Sequence, residues 1–393
     1  MKRTIRDIDL KGKKVLVRAD FNVPLDEQGE ITSDARIRAT LHTVSYLLER
    51  EACIILCSHL GRPEGEKVDE LSLAVVANRL SKMLNQSVHM AKDCVGPEIE
   101  KLAGNLKSGQ TLLLENLWFH PEEKANDDSF AQDLARLADI YVNDAFGACH
   151  RAHASIVGIP KHIPAVAGLL LEKELKTLGS LLEKPDHPFA GIFGGAKVSD
   201  KVAVLDNIME KLNSLLIGGA MAALFLKAKS HQVGQLEIER DKLDTAQKLI
   251  EKAEEREVRL LLPVDLVMAE RIDESARTET VSVEQIPSNM KIVDIGPQTV
   301  RDFQEGLSRC GAIFWNGPMG VYEIPHFASG TKAIASYLAD LEATTIVAGG
   351  STAEIVDDLN ITNKMSFVST GGGASLRYLA GSSLPGVEAL PDI

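Results

Sequence analysis

Short, continuous apolar runs recur along the chain and alternate with stretches of helical periodicity. In the first half they cover residues 15–17, 53–57, 111–114 and 140–142. In the second half they cover residues 189–193, 215–217, 259–262, 312–315, 345–348 and 367–368. Each run ends in glycine or polar residues, among them Arg18-Ala19-Asp20, Ser58-His59, Gly194-Gly195, Gly218-Gly219, Asn316-Gly317 and Gly349-Gly350. Continuous apolar strands separated by helices indicate parallel sheets covered on both faces. Such sheets bind ligands beyond the carboxyl ends of their strands, which is where this chain places its Gly, Asp, Asn, Arg and His. The pattern predicts an α/β protein of two doubly wound, parallel-sheet (Rossmann-like) domains. Pro164 precedes a helical stretch over 169–182, and Pro185 and Pro188 then stop it. The expected organisation is a first domain over 1–168, an interdomain helix and hinge over 169–188, and a second domain over 189–378.

Length agrees, since 393 residues exceed a typical single core. The net charge of −13 disfavours nucleic acid or an acidic membrane as a partner. No apolar run approaches the roughly 20 residues of a membrane span. The first residues turn polar at once, and the five Cys form no Cys-x-x-Cys pair. Both features predict a cytoplasmic address.

In the first half Arg36, Arg38, Arg62 and Arg151 stand with Asp20, Asn22 and His59 in segments that follow strands or open a helix. Arginine presents a planar fork that matches carboxylate and phosphate. Any one of these arginines alone reads as a solvated surface charge. Together at strand ends they read as a site for a phosphorylated acid, with Asp20 and Asn22 holding a hydroxyl. His150 and His153 lack the carboxylate spacing of a zinc site, and Cys53 and Cys57 lie within an apolar run and read as core.

In the second half, Gly194-Gly195-Ala196-Lys197-Val198-Ser199-Asp200-Lys201 leaves a strand and opens a helix. Glycine lets a phosphate approach the backbone, and a helix start attracts anions. Lys197 and Lys201, four apart, would share a helix face. Two further glycine turns, Gly349-Gly350-Ser351-Thr352 and Gly371-Gly372-Gly373, point with the first to a polyphosphate. Asn316 adds an amide, and Glu323 suits a ribose hydroxyl. Neither a Walker A loop nor a Gly-x-Gly-x-x-Gly fingerprint occurs, which argues against a nicotinamide dehydrogenase.

At these residues the chain closely resembles the phosphoglycerate kinase family, nearly end to end. The matching motifs are residues 18–24, 58–63, 144–153, 194–201, 315–323 and 369–374. The resemblance implies reversible phosphoryl transfer from 1,3-bisphosphoglycerate to ADP, giving 3-phosphoglycerate and ATP. It implies that Asp20, Asn22, Arg36, His59, Arg62 and Arg151 hold the glycerate. Lys197, Arg36 and the Gly371, Gly372 and Gly373 turn would serve the transferring phosphoryl group. Lys201, Gly219, Asn316, Glu323, Gly349, Gly350, Ser351 and Thr352 would hold a nucleotide that carries Mg2+. Small-molecule substrates, a monomer, and residues from about 379 to 393 folded back onto the first domain complete these expectations.

Two positions depart from the family pattern. Trp118 stands where the family has an arginine that contacts the glycerate phosphate, and Ser351 stands where it has an aspartate associated with the metal. Either the site is weakened at Trp118, or that residue packs in the core and a neighbouring basic group such as His120 takes over. A catalytically weakened nucleotide-binding scaffold of the same fold is the alternative function.

Overall fold

Where the chain is most continuously apolar, it forms central strands. The computed structural model describes residues 2–195, 199–236 and 238–393. The chain divides into two units, one of Met1–Lys176 with Ser383–Ile393 and one of Thr177–Ser382. The helix Leu169–Glu183 contains the division.

In the first unit β1 (Lys14–Arg18), β2 (Cys53–Cys57), β3 (Val88–Met90), β4 (Thr111–Leu113), β5 (Ile140–Asn143) and β6 (Ala165–Ala167) pair in the order β3-β4-β2-β1-β5-β6. Every pairing is parallel. β2 and β5 are buried along their whole length. The helices Ala35–Glu49 and Ala74–Leu84 place Ile37, Val44, Leu47, Val76 and Leu80 in the same core. Each such side chain contributes roughly 1.5–3 kcal/mol, whereas exposed ion pairs contribute about 0–1 kcal/mol. The apolar layers therefore hold the unit together.

Strand order reverses at β1: β2 to β4 lie on one side and β5 and β6 on the other. The crevice beyond the carboxyl ends of β1 and β5 is thus the topological switch point, where open sheets bind ligands. Residues 18–20 and 144–153 leave the sheet there. The C-terminal residues seat against the second of these segments: Gly386 N donates to the Cys149 carbonyl (2.9 Å), and Asn143 Nδ2 donates to the Gly386 carbonyl (3.2 Å).

The second unit contains β7 (Phe189–Phe193), β8 (Ser214–Ile217), β9 (Arg259–Leu261), β10 (Asp265–Ala269), β11 (Thr278–Ser282), β12 (Lys291–Ile295), β13 (Ala312–Asn316), β14 (Thr344–Val347) and β15 (Phe367–Val368). Six of them form a parallel sheet in the order β15-β14-β13-β7-β8-β9. Its switch point lies between β7 and β13, whose ends carry Gly194-Gly195 and Asn316-Gly317. The other three strands form an antiparallel sheet, β11-β10-β12. The apolar pattern did not predict this sheet, because β11 reads Thr-Glu-Thr-Val-Ser and is largely exposed. No described helix is long and apolar enough to cross a membrane.

Candidate active site

Beyond β1 the chain turns so that acidic and basic groups pair instead of facing water. Arg36 Nη1 lies 2.8 Å from both Asp20 carboxylate oxygens. Burial would raise the Asp20 carboxyl, but the Arg36 and Arg18 guanidiniums outweigh it and hold it below its ordinary value. Asn22 Oδ1 accepts from Gly61 N at 2.8 Å, which ties the first loop to the turn that carries the exposed Arg62. Arg18, fully buried, donates to Ser155 Oγ at 2.9 Å and lies 3.2 Å from His59 Nδ1. Ser155 in turn donates to the buried Glu123 from its hydroxyl (2.6 Å) and its backbone N–H (2.8 Å).

Trp118 is 3% exposed and lies at the centre of this surface. The His59 ring lies 4.1 Å from its own and the His153 ring 5.8 Å. Two cations stand over the indole, Lys124 Nζ at 4.7 Å and the Arg151 guanidinium at 5.0 Å. An aromatic face attracts cations at these distances. Trp118 is packed rather than exposed, and the basic group beside it is Lys124. His120 instead pairs with Asp93 at 2.6 Å and lies against Phe130.

Neither His59 nor His153 adds charge here. Burial and the adjacent Arg18 push His59 well below its ordinary value, and burial with Arg18, Arg151 and Lys124 pushes His153 down to about 4. Near neutral pH His59 therefore presents a neutral imidazole. Fixed positive charge comes from the arginines and Lys124.

In the second unit three glycine turns interlock at the switch point. Gly194 N donates to the Asn316 carbonyl (3.0 Å), Gly195 N to Pro318 (2.8 Å) and Gly219 N to Met319 (2.9 Å). A Cβ on Gly194 would fall 2.1 Å from the Pro318 oxygen. Gly317 has φ +95°, and a Cβ there would meet the Gly194 carbonyl at 2.4 Å. These positions accept only glycine. Lys201 is buried, and its ammonium donates to the Gly194 carbonyl.

Thr352 Oγ1 accepts from Gly317 N at 2.7 Å, and Asn316 Nδ2 donates to the Ala348 carbonyl at 2.8 Å. The β13 and β14 turns, including Gly349 and Gly350, are joined in this way. Ser351 is exposed in the first turn of the helix Gly350–Asp358, and Glu323 is exposed in the turn after β13. Gly371 N donates to Ser369 Oγ at 3.1 Å, while the Cβ positions of Gly372 and Gly373 face open space. Lys197 lies outside the described residues.

The structure thus joins Asp20 to Arg36, Asn22 to the Arg62 turn, and His59 to Trp118 and Arg151. Sequence reasoning assigned no role to Arg18, Lys124, Glu123 or Ser155. Arg18 carried a usable signal, as a charged residue closing an apolar strand. Glu123 and Ser155 carried none, because their pairing depends on packing between segments 32 residues apart.

Two doubly wound sheets, one ending in a cationic surface and the other in interlocked glycine turns, define a two-domain α/β enzyme that handles phosphoryl groups. A sequence profile described as phosphoglycerate kinase matches residues 5–382. The chain belongs to the phosphoglycerate kinase family. It is 50% identical over 391 residues to the phosphoglycerate kinase of Pelotomaculum thermopropionicum, covering 100% of this chain and 99% of that protein. Its identity to the Moorella thermoacetica phosphoglycerate kinase is also 50%, with the same coverage. The solved phosphoglycerate kinase structure from Coxiella burnetii superposes with a TM-score of 0.87 at 39% identity, covering 99% of this chain and 98% of that one. The structure from Pyrococcus horikoshii superposes with the same TM-score and coverage at 32% identity.

Proposed function

We propose how this kinase divides the reaction between its two surfaces. The first unit holds 3-phosphoglycerate: Arg36, Arg62, Arg151 and Lys124 neutralise the phosphate and carboxylate, and Asp20 and Asn22 receive the hydroxyl. The second unit holds the nucleotide on Lys201, Gly219, Asn316, Glu323 and the turn of Gly349 to Thr352. In the ATP-consuming direction a carboxylate oxygen attacks the terminal phosphorus, a P–O bond forms, and the bond to the ADP oxygen breaks. No proton moves in that step, so the protein needs position and positive charge more than a general base. Lys197 and the Gly372 and Gly373 turn supply that charge.

One observation carries the division. Each surface contains a buried polar atom with no hydrogen-bond partner in the chain, Trp118 Nε1 on the cationic side and Asn316 Oδ1 on the glycine side. Buried polar groups are nearly always paired. An N–H donor suits an anion, and an amide oxygen suits a hydroxyl or amino group of a nucleotide.

Magnesium enters as part of the nucleotide substrate. Ser351 brings a neutral hydroxyl and no compensating charge, which leaves phosphate oxygens and water as the chief ligands. Five free cysteines fit a cytoplasmic, reducing setting. Titration calorimetry tests the division. Arg36→Ala should weaken 3-phosphoglycerate binding about tenfold or more and leave ATP binding unchanged; equal loss for both ligands would refute it.

A further inference from the structure

Among the described residues Asp93, Cys94 and His120 bring a carboxylate oxygen, a thiol sulfur and an imidazole nitrogen within 4.8 Å of one another. They come from two loops. Asp93 and Cys94 follow β3, and His120 closes the turn Leu117–Phe119. The Cys94 backbone N–H donates to its neighbour's Asp93 Oδ1 at 2.6 Å, and that same oxygen lies 2.6 Å from His120 Nε2. We propose that these three side chains form a binding site for a thiophilic divalent transition metal of the zinc class, separate from the magnesium carried by the nucleotide.

The donor set decides the metal class. Sulfur, imidazole and one carboxylate suit Zn2+ or Co2+, whereas Mg2+ takes oxygen ligands. Three protein ligands leave a fourth position for water, the arrangement of an exchangeable ion. Asp93 is 54% exposed and gives a path from solvent, while Cys94 closes the inner side. On the far side of the ring, His120 Nδ1 lies 4.0 Å from Glu122 Oε2, a carboxylate placed to orient a ligating imidazole.

Binding requires each ligand to adjust. The Cys94 thiol, which now donates to the Glu115 carbonyl at 2.9 Å, loses its proton to solvent as the metal–sulfur bond forms. The His120–Asp93 contact opens to about 3–3.5 Å, the separation that ligand bonds of about 2.0–2.3 Å impose. His120 also joins the turn bearing Trp118 to the helix Pro121–Ala125 bearing Lys124. An ion here would stiffen that junction.

Cobalt titration of the full chain followed by absorption tests the site. A single equivalent should produce a thiolate-to-cobalt charge-transfer band and the visible bands of a tetrahedral ion. Zinc should erase them, and excess magnesium should not. Cys94→Ser should abolish the charge-transfer band while the kinase reaction persists as proof of folding, and His120→Asn should weaken cobalt at least about tenfold. Absence of the band in the parent, or its survival in Cys94→Ser, would overturn the assignment.

Discussion

The Arg151 guanidinium lies over the Trp118 indole, 5.0 Å from the ring centre. The ring carries two cations on it, Arg151 and Lys124. A cation over an aromatic face gains about 0.5–2 kcal/mol. Trp118→Leu should therefore raise the KM for 3-phosphoglycerate about 2- to 30-fold, and Trp118→Phe, which keeps a face, should raise it less. Trp118→Arg should bring no tighter binding and should lower stability, because it buries a third cation beside Arg151 and Lys124. Denaturation curves and initial rates on the three variants check this; tighter substrate binding by Trp118→Arg would sink it.

Lys197 is proposed to serve the transferring phosphoryl group, where charge acts chiefly in the transition state. Its replacement by alanine should lower turnover by at least about 100-fold with little change in nucleotide affinity. Near-normal turnover in that variant would remove the residue from the mechanism.

Asp294, on β12, accepts from Ile295 N (2.9 Å) and Gly330 N (2.6 Å) and is pushed by burial from 3.8 up to about 7. The folded chain therefore holds a proton that the unfolded chain releases. This contribution to stability is fully present below the ordinary carboxyl value and is lost as pH rises through about 7. Asp294→Asn cannot ionise. Between about pH 5 and pH 8 its stability should improve relative to the parent by on the order of 2 kcal/mol. Urea unfolding at the two pH values measures the difference, and an unchanged gap would show that Asp294 does not titrate in this range.

The two parallel sheets were legible because their strands are apolar on both faces and end abruptly, as Cys53 to Cys57 do before Ser58. β3 was not: its Val-His-Met is short and half exposed. β6 is three residues long, and β11 is polar, so neither stands out from the loops around it. At the site, Arg36, Arg62 and Arg151 stood out because arginines gather at strand ends. Lys124 did not, since it lies six residues beyond Trp118 on a separate short helix, and only the fold brings it over the ring. The neutral state of His59 was equally hidden, because it depends on the buried Arg18 packed beside it.

Lys124, held over Trp118, is proposed to supply phosphate-binding charge. Steady-state rates with 3-phosphoglycerate and saturating Mg-ATP, measured on the parent and on Lys124→Met, test it most directly. The parent should turn over, and the variant should show a KM for 3-phosphoglycerate raised about tenfold, with turnover and the KM for ATP unchanged. Equal KM values for 3-phosphoglycerate in the two proteins would contradict the account.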